Sequence, residues 1–225
     1  MPRISRYFFS LLLLLVVRPL SAQDTVKYDI ARTHGLRLGV DVSRLVLPLL
    51  YDDNRFGLEL SLDKQVSKEI FATVEAGYLT MDSRKNGYHY EMNGSYFRAG
   101  ADLQIVRYRF RDGRDHVYGG IRYGFSSFTH QASDIEIPAG YWPGAKLPDI
   151  PSESLSSHWL EFVAGIKVEL ARRLYLGAAL RGKRQLVAPK SKNNMDAINV
   201  PGYGPGDDNH TLSLSYSILY MFGPY

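Results

Sequence analysis

Ser126 and Ser127 lie just before His130, and Asp134 follows four residues later. A hydroxyl nucleophile, an imidazole base and an orienting carboxylate are the parts of a hydrolase that attacks esters. Near the outer leaflet of a membrane, such a set would suit lipid head groups. The chain has six histidines, His34, His89, His116, His130, His158 and His210, and no two of them stand at a metal-binding interval such as His-x-x-x-His. His158 and Glu161 are three apart, which on a strand places them on opposite faces. Asp207-Asp208-Asn209 follows a glycine-rich stretch and offers oxygen atoms to calcium. It lacks the alternating ligand spacing of a dedicated loop and reads as a turn. The sequence therefore predicts no metal site and no cofactor, and an enzyme only as a minor alternative.

The elements that must position these residues have a simple pattern. From Leu160 to Leu170 every second residue is apolar, while Glu161, Lys167 and Glu169 fall between them; after Ala171-Arg172-Arg173 the alternation resumes from Leu174 to Lys183. That is the signature of two strands joined by a tight turn. Period-two patterning runs through nearly all of the chain beyond residue 30, with strands expected near 35–46, 55–65, 70–80, 93–106, 116–129, 158–170, 174–185 and 209–222. Strands of about ten residues are longer than most in globular proteins and match what a tilted strand needs to cross a bilayer. Short connections at 66–69, 112–115 and 171–173 alternate with long polar ones at 81–92, 130–157 and 186–208. Only the short, apolar connection at 47–54 departs from the layout of an outer-membrane barrel.

Sorting alternate residues gives one face with essentially no charge, running through Leu36, Leu60, Val74, Phe97, Ile121, Ile166 and Leu214. The other carries Glu59, Glu75, Arg98, Asp102, Arg122, Glu161, Lys167, Glu169 and Arg181, together with Arg37, Asp41, Asp63 and Lys183. Glycines at 39, 57, 77, 100, 120, 165 and 177 interrupt this charged face. A solvated sheet gains nothing from them, since glycine costs about 0.5 to 1 kcal/mol in a strand interior. A narrow lumen does gain, because its large side chains need small neighbours. The near balance of acids and bases also suits a closed interior, where each charge requires a partner. The chain is thus expected to be all-β, a closed antiparallel up-and-down transmembrane barrel of about eight strands with a polar, charged lumen. A soluble lipocalin-like periplasmic barrel, with the apolar face inside, is the alternative.

The first residues agree. Arg3 and Arg6 precede an uncharged apolar run from Tyr7 to Val17, and Leu20-Ser21-Ala22 supplies small residues before Gln23. This is the pattern of a secretory signal peptide over 1–22, leaving 23–225 as one barrel domain. Removing Arg3, Arg6 and Arg18, and no acid, from a chain of formal charge +4 leaves +1. Without a basic patch interleaved with aromatics, nucleic acid is not an expected partner. The chain has no cysteine, so neither a disulfide nor a lipid-bearing cysteine anchors it.

The segments GLRLGVDVSRLV (35–46), GLELSLDKQVSKEIFATVEAGYL (57–79), GSYFRAGADLQIV (94–106), YGGIRYGFSSF (118–128) and HWLEFVAGIKVEL (158–170) together resemble a family of small, functionally uncharacterised outer-membrane β-barrels of Gram-negative bacteria. The likeness covers about residues 33 to 185, and the architecture is similar to OmpA/OmpX-type barrels. It implies a fold and a location in the outer membrane, with membrane lipids and the barrel-assembly machinery as partners. It carries over no catalytic or binding residues. One departure is at the end, where Phe222 is followed by Gly223-Pro224-Tyr225 and proline must stop the ladder. A structural or scaffold role is the leading expectation. Surface recognition through 130–157, with Tyr141 and Trp142 as anchors, is the second.

Overall fold

The computed structural model describes residues 35–43, 54–85, 87–106, 115–136, 147–193 and 195–223. The elements are β1 (Leu36–Asp41), β2 (Asn54–Gln65), β3 (Ile70–Lys85), β4 (Tyr88–Val106), β5 (His116–Ser133), β6 (Ile150–Ala171), β7 (Leu174–Val187), β8 (Asn199–Val200), β9 (Gly204–Pro205) and β10 (His210–Phe222). Eight of them close a barrel in the order β1-β10-β7-β6-β5-β4-β3-β2, and each neighbouring pair is antiparallel. The short β8 and β9 form a separate two-stranded hairpin. Residues 1–22, expected as a signal peptide, 47–53 of the apolar connection, 112–114 of the expected short turn, and Tyr141 and Trp142, expected as recognition anchors, lie outside the described residues.

Sidedness follows the parity read from the sequence. Leu60, Ile121, Ile166, Leu176 and Ile218 point outward with 42 to 54% of their surface exposed, whereas Glu59, Glu75, Arg98, Arg122 and Glu161 are at most 2% exposed. A lipocalin-like soluble barrel requires the reverse, and this arrangement overturns it.

The strands are longer than expected. β4, β5 and β6 have 19, 18 and 22 residues, about twice what a bilayer crossing needs. The segment 81–92, expected as a long loop, is instead a continuation of the hairpin, with pairing unbroken from Ile70↔Leu103 to Lys85↔Tyr88. The same correction applies to much of 130–157, because β5 runs to Ser133 and β6 begins at Ile150. The physical reason is that period two persists there with a changed outer face. Above Tyr78, Phe97 and Phe125 the outward positions become Thr80, Asp82, Asn93, Ser127 and Thr129, while Met81, Ser83, Tyr90 and Met92 still point inward and are buried. Lys85 and Tyr88 are the last pair of this hairpin, and Gly87 between them takes a φ of 83°. The short turns at the other end agree with expectation: Val66 N–H donates to Ile70 O at 2.9 Å, and only Arg172-Arg173 separates β6 from β7.

The inward glycines are explained by what crosses over them. Gly77 faces Tyr96, Gly124 faces Trp159 and Gly165 faces Tyr118 in the cross-strand register, and a β-carbon at Gly77 or Gly124 would collide with the facing ring. Each aromatic thus lies flat across its neighbour's backbone, an arrangement that only glycine leaves room for. At Gly165 a β-carbon would come within 2.7 Å of the Tyr118 ring and 2.8 Å of the Ala178 carbonyl oxygen. Gly165→Ser, expected to be milder than Ile166→Arg on the lipid face, therefore meets both the facing ring and a backbone oxygen.

A β-carbon at Gly100 would meet the Ile121 carbonyl oxygen and the Arg122 backbone, whereas one at Gly182 would meet nothing within 4 Å. Gly100→Ala should destabilise the barrel by about 1 to 3 kcal/mol, the usual cost of overpacking. Gly182→Ala should leave it unchanged or slightly more stable. The temperature at which the folded band is lost on an unheated detergent gel measures both; equal behaviour of the two variants would contradict the packing described.

Candidate functional site

The lower part of the barrel interior holds a connected ion-pair network. Among the described residues the buried charged groups are Asp41, Glu59, Asp63, Glu75, Asp102 and Glu161 against Arg37, Arg98, Arg122, Lys167, Arg181 and Lys183, six of each sign. A closed, low-dielectric space tolerates charge only in this balanced, hydrogen-bonded form.

Glu75 on β3 is the hub. Arg98 Nε lies 2.8 Å from its Oε2 and Arg181 Nη1 donates to the same oxygen at 2.8 Å, while Arg122 Nη1 donates to Oε1. Arg98 and Arg122 reach it from β4 and β5 and Arg181 from β7, so a single carboxylate ties three walls of the barrel together. Around it, Arg98 also pairs with Glu59 and with Glu161 at 3.2 Å. Arg181 pairs with Glu161 at 3.3 Å. Trp159 Nε1 donates to Glu161 Oε1 at 2.7 Å, and Tyr96 OH to Glu59 Oε2 at 2.5 Å.

A second layer lies nearer the short turns. Arg122 Nη2 reaches both oxygens of Asp102 at 3.1 Å. Lys167 Nζ bridges Asp63 at 2.5 Å and Asp102 at 3.4 Å, and Arg37 Nε contacts Asp63 at 2.5 Å. The cations also stack on rings, Arg37 at 4.7 Å from the Phe71 centroid and Lys167 at 4.6 Å from that of Tyr118. The void left between these groups is about 20 Å³, space for roughly one water.

Of the charges expected to line the lumen, Glu59, Glu75, Arg98, Asp102, Arg122, Glu161, Lys167 and Arg181 all meet in this network. Glu169 stands apart: it is half-buried beside the β6–β7 turn, where its Oε1 accepts the Arg173 N–H at 3.0 Å. Arg173 takes a φ of 70°, so this carboxylate steadies a left-handed turn residue.

The upper half of the interior is largely apolar, interspersed with buried uncharged groups such as Ser126, His130 and Ser157, a feature that sorting by charge does not show. Met81, Tyr90, Met92, Tyr96, Phe128 and Trp159 form a buried cluster with Ala197, Val200 and Tyr203. The last three belong to a segment expected to be a polar surface loop, 186–208, and they fold inward against the cluster. Lys183 Nζ holds this segment by donating to the carbonyl oxygens of Gly202 and Tyr203 at 2.8 and 2.9 Å. Tyr203 packs edge-on against Trp159 at 5.8 Å between centroids and donates its hydroxyl to Asp208 O at 2.6 Å. Burial pushes that phenol above its ordinary pKa. The short run Ala197-Ile198-Asn199-Val200-Pro201, apolar except at Asn199, within an otherwise polar stretch is the available signal. Between the segment and the wall at β2 and β10 lies a cavity of about 410 Å³ bordered by Arg55, Asn199 and Ser213.

The serine–histidine arrangement is not assembled. Ser126 and His130 both face inward, but four residues along one strand puts them roughly 13 Å apart. Neither Ser126 Oγ nor either ring nitrogen of His130 has a hydrogen-bond partner among the described residues. Ser127 points outward, and the Asp134 N–H donates to Asp149 Oδ1 at 3.1 Å. Asp208 serves the turn before β10 through its carbonyl, as a turn cluster would.

Residues 4–224 match the family described as "Domain of unknown function (DUF6048)", and the chain belongs to that family. No curated protein matches it. Among solved structures it is similar to a major outer membrane protein from Thermus thermophilus, at 13% identity and a TM-score of 0.50, with 84% of this chain and 98% of that one covered. At that identity the likeness shows the shared barrel fold.

Replacing Glu75 by alanine should be the most damaging single change in the interior, because it leaves Arg98, Arg122 and Arg181 short of one anion. A cost on the order of 3 to 5 kcal/mol is expected for breaking a buried pair. Glu161→Ala should cost less, and pairing it with Arg98→Ala should recover part of the loss. Thermal unfolding in detergent reads the series; a Glu75→Ala barrel that melts with wild type would show that the network is hydrated and not structural.

Proposed function

We propose that this member of the family is an integral outer-membrane protein of a Gram-negative bacterium, exported through the signal peptide at 1–22, with a structural role as a closed scaffold for surface elements. The observation that carries the reading is the inverted distribution of residues: an exposed apolar band surrounds an interior of paired charges. Only an apolar solvent makes that inversion favourable, since burying apolar area is worth about 25 cal/mol per Å² in water and this band forgoes it. Exposed Tyr78, Phe97 and Phe125 stand where the band gives way to polar residues, the place where aromatic girdles lie in such barrels.

General transport does not fit. The ion-pair layers and the inward-folded segment occupy the interior, as expected for eight strands, whose lumen is filled by side chains. What remains for function is outside the band: the polar extensions of β3 to β6 and the connection between β5 and β6. Surface recognition there is the second reading, favoured by the length of those strands beyond the band. Membrane lipids and the barrel-assembly machinery are the partners this account implies.

The chain has no cysteine, so single reporters are straightforward. Ser154→Cys, on the exposed side of β6 beyond the band, should react in intact cells with a membrane-impermeant maleimide, and Ser67→Cys in the β2–β3 turn should react only after the envelope is opened. Labelling of Ser67→Cys alone in intact cells would reverse the topology. Labelling of neither would remove the protein from the cell surface.

A further inference from the structure

The interior network leaves unused one set of side chains on the outer hairpin. Asp82 on β3 and Glu91 on β4 are direct cross-strand partners, and His89 stands one step further along β4, in register with Arg84. All three face outward on the part of the hairpin above the apolar band. One ligand atom from each lies within 4.8 Å of the others. His89 Nε2 is 2.8 Å from Asp82 Oδ1 and 3.7 Å from Glu91 Oε1. Donors around a tetrahedral first-row ion, with bonds of about 2.0 to 2.1 Å, stand about 3.4 Å apart. The two measured separations bracket that value.

Three further observations point toward a cation. Opposed carboxylates on one face of an antiparallel pair repel each other, and among the described residues no ion pair joins Arg84 to either acid. The amide of Gln131, which faces Glu91 from β5, donates to Glu91 Oε2. That contact comes from a third strand, fixes the carboxylate plane and leaves Oε1 turned to His89, as outer partners of metal ligands do. A concavity of about 290 Å³ adjoins the two acids, bordered by Asp82, Glu91, Asn93, Thr129 and Gln131 and not by His89, so the carboxylates are open to an incoming ion from that side.

We propose that Asp82, His89 and Glu91 form a surface site for a first-row divalent transition ion, zinc foremost, which clamps the end of β3 to β4. An imidazole with two carboxylates suits such ions, whereas calcium and magnesium prefer oxygen donors alone. The site is open to solvent and independent of the barrel interior, so its removal should not prevent folding. It was invisible along the sequence because its ligands come from two strands and converge only through their register.

The test is titration of zinc chloride into the mature barrel in detergent, purified without a histidine tag and followed by isothermal calorimetry. One site per chain is expected. His89→Ala and Glu91→Gln should each weaken it at least ten-fold while retaining the folded gel mobility, Gln131→Leu should weaken it less, and His210→Ala, elsewhere on the surface, should leave it unchanged. Zinc should also slow proteolysis of the β3–β4 hairpin in the wild type and not in His89→Ala. The proposal is overturned if zinc does not bind, if His89→Ala and Glu91→Gln bind as wild type does, if His210→Ala abolishes binding, or if calcium binds as tightly as zinc.

Discussion

Everything else in this barrel depends on how Glu75 is satisfied. A carboxylate with 2% of its surface exposed is tolerable only if cations reach it, and three arginines do so from β4, β5 and β7. Those arginines need acids in turn, which brings in Glu59, Asp102 and Glu161, and through Asp102 the Lys167–Asp63–Arg37 chain. The network thus spans the interior from β1 to β7 and can close only when the strands are in their observed register. Buried ion pairs are weak contributors to net stability compared with an apolar filling. Their value here is in specificity: a slip of one residue in any strand would turn its charged set outward and its apolar set inward.

The aromatic residues complement this. Long arginines crossing a narrow lumen leave little space for other large groups at the same height, so Tyr96, Trp159 and Tyr118 lie over glycines of the adjoining strand. Above the charged layers the interior turns apolar and is completed by Val200 and Tyr203 from the inward-folded segment, held by Lys183. Lys183 has the parity of the lumen charges but serves the carbonyls of that segment, and so joins the ionic lower part to the apolar upper part. Apart from the cavity of about 410 Å³ beside β2 and β10, the interior is occupied by side chains and the inward-folded segment.

Much of this was legible in the sequence because alternation is a local property. Strand number, face assignment and the lumen charges could be read from parity. What parity cannot show is height along the barrel. Tyr96, Trp159 and Met92 share the parity of Arg98 and Glu161, so the division of the interior into an ionic and an apolar half emerges only with the cross-strand register. The same limit hid the role of Glu169, which has the lumen parity but lies at the turn. The partners of each arginine were equally hidden: Arg181 and Glu75 are 106 residues apart. The inward fold of 195–205 is a tertiary event that local patterning hints at only through its short apolar run.

The central claim is that the charged face is inside and the apolar face meets lipid, and it is tested most directly by residues of one chemical type on opposite faces. With methyl-labelled protein in lipid nanodiscs, nuclear Overhauser contacts to acyl-chain protons should appear for the outward Leu60, Leu176 and Ile218. They should be absent for the inward Leu79, Val163 and Leu219. Acyl-chain contacts to Leu79, Val163 and Leu219, with none to the first set, would contradict the account.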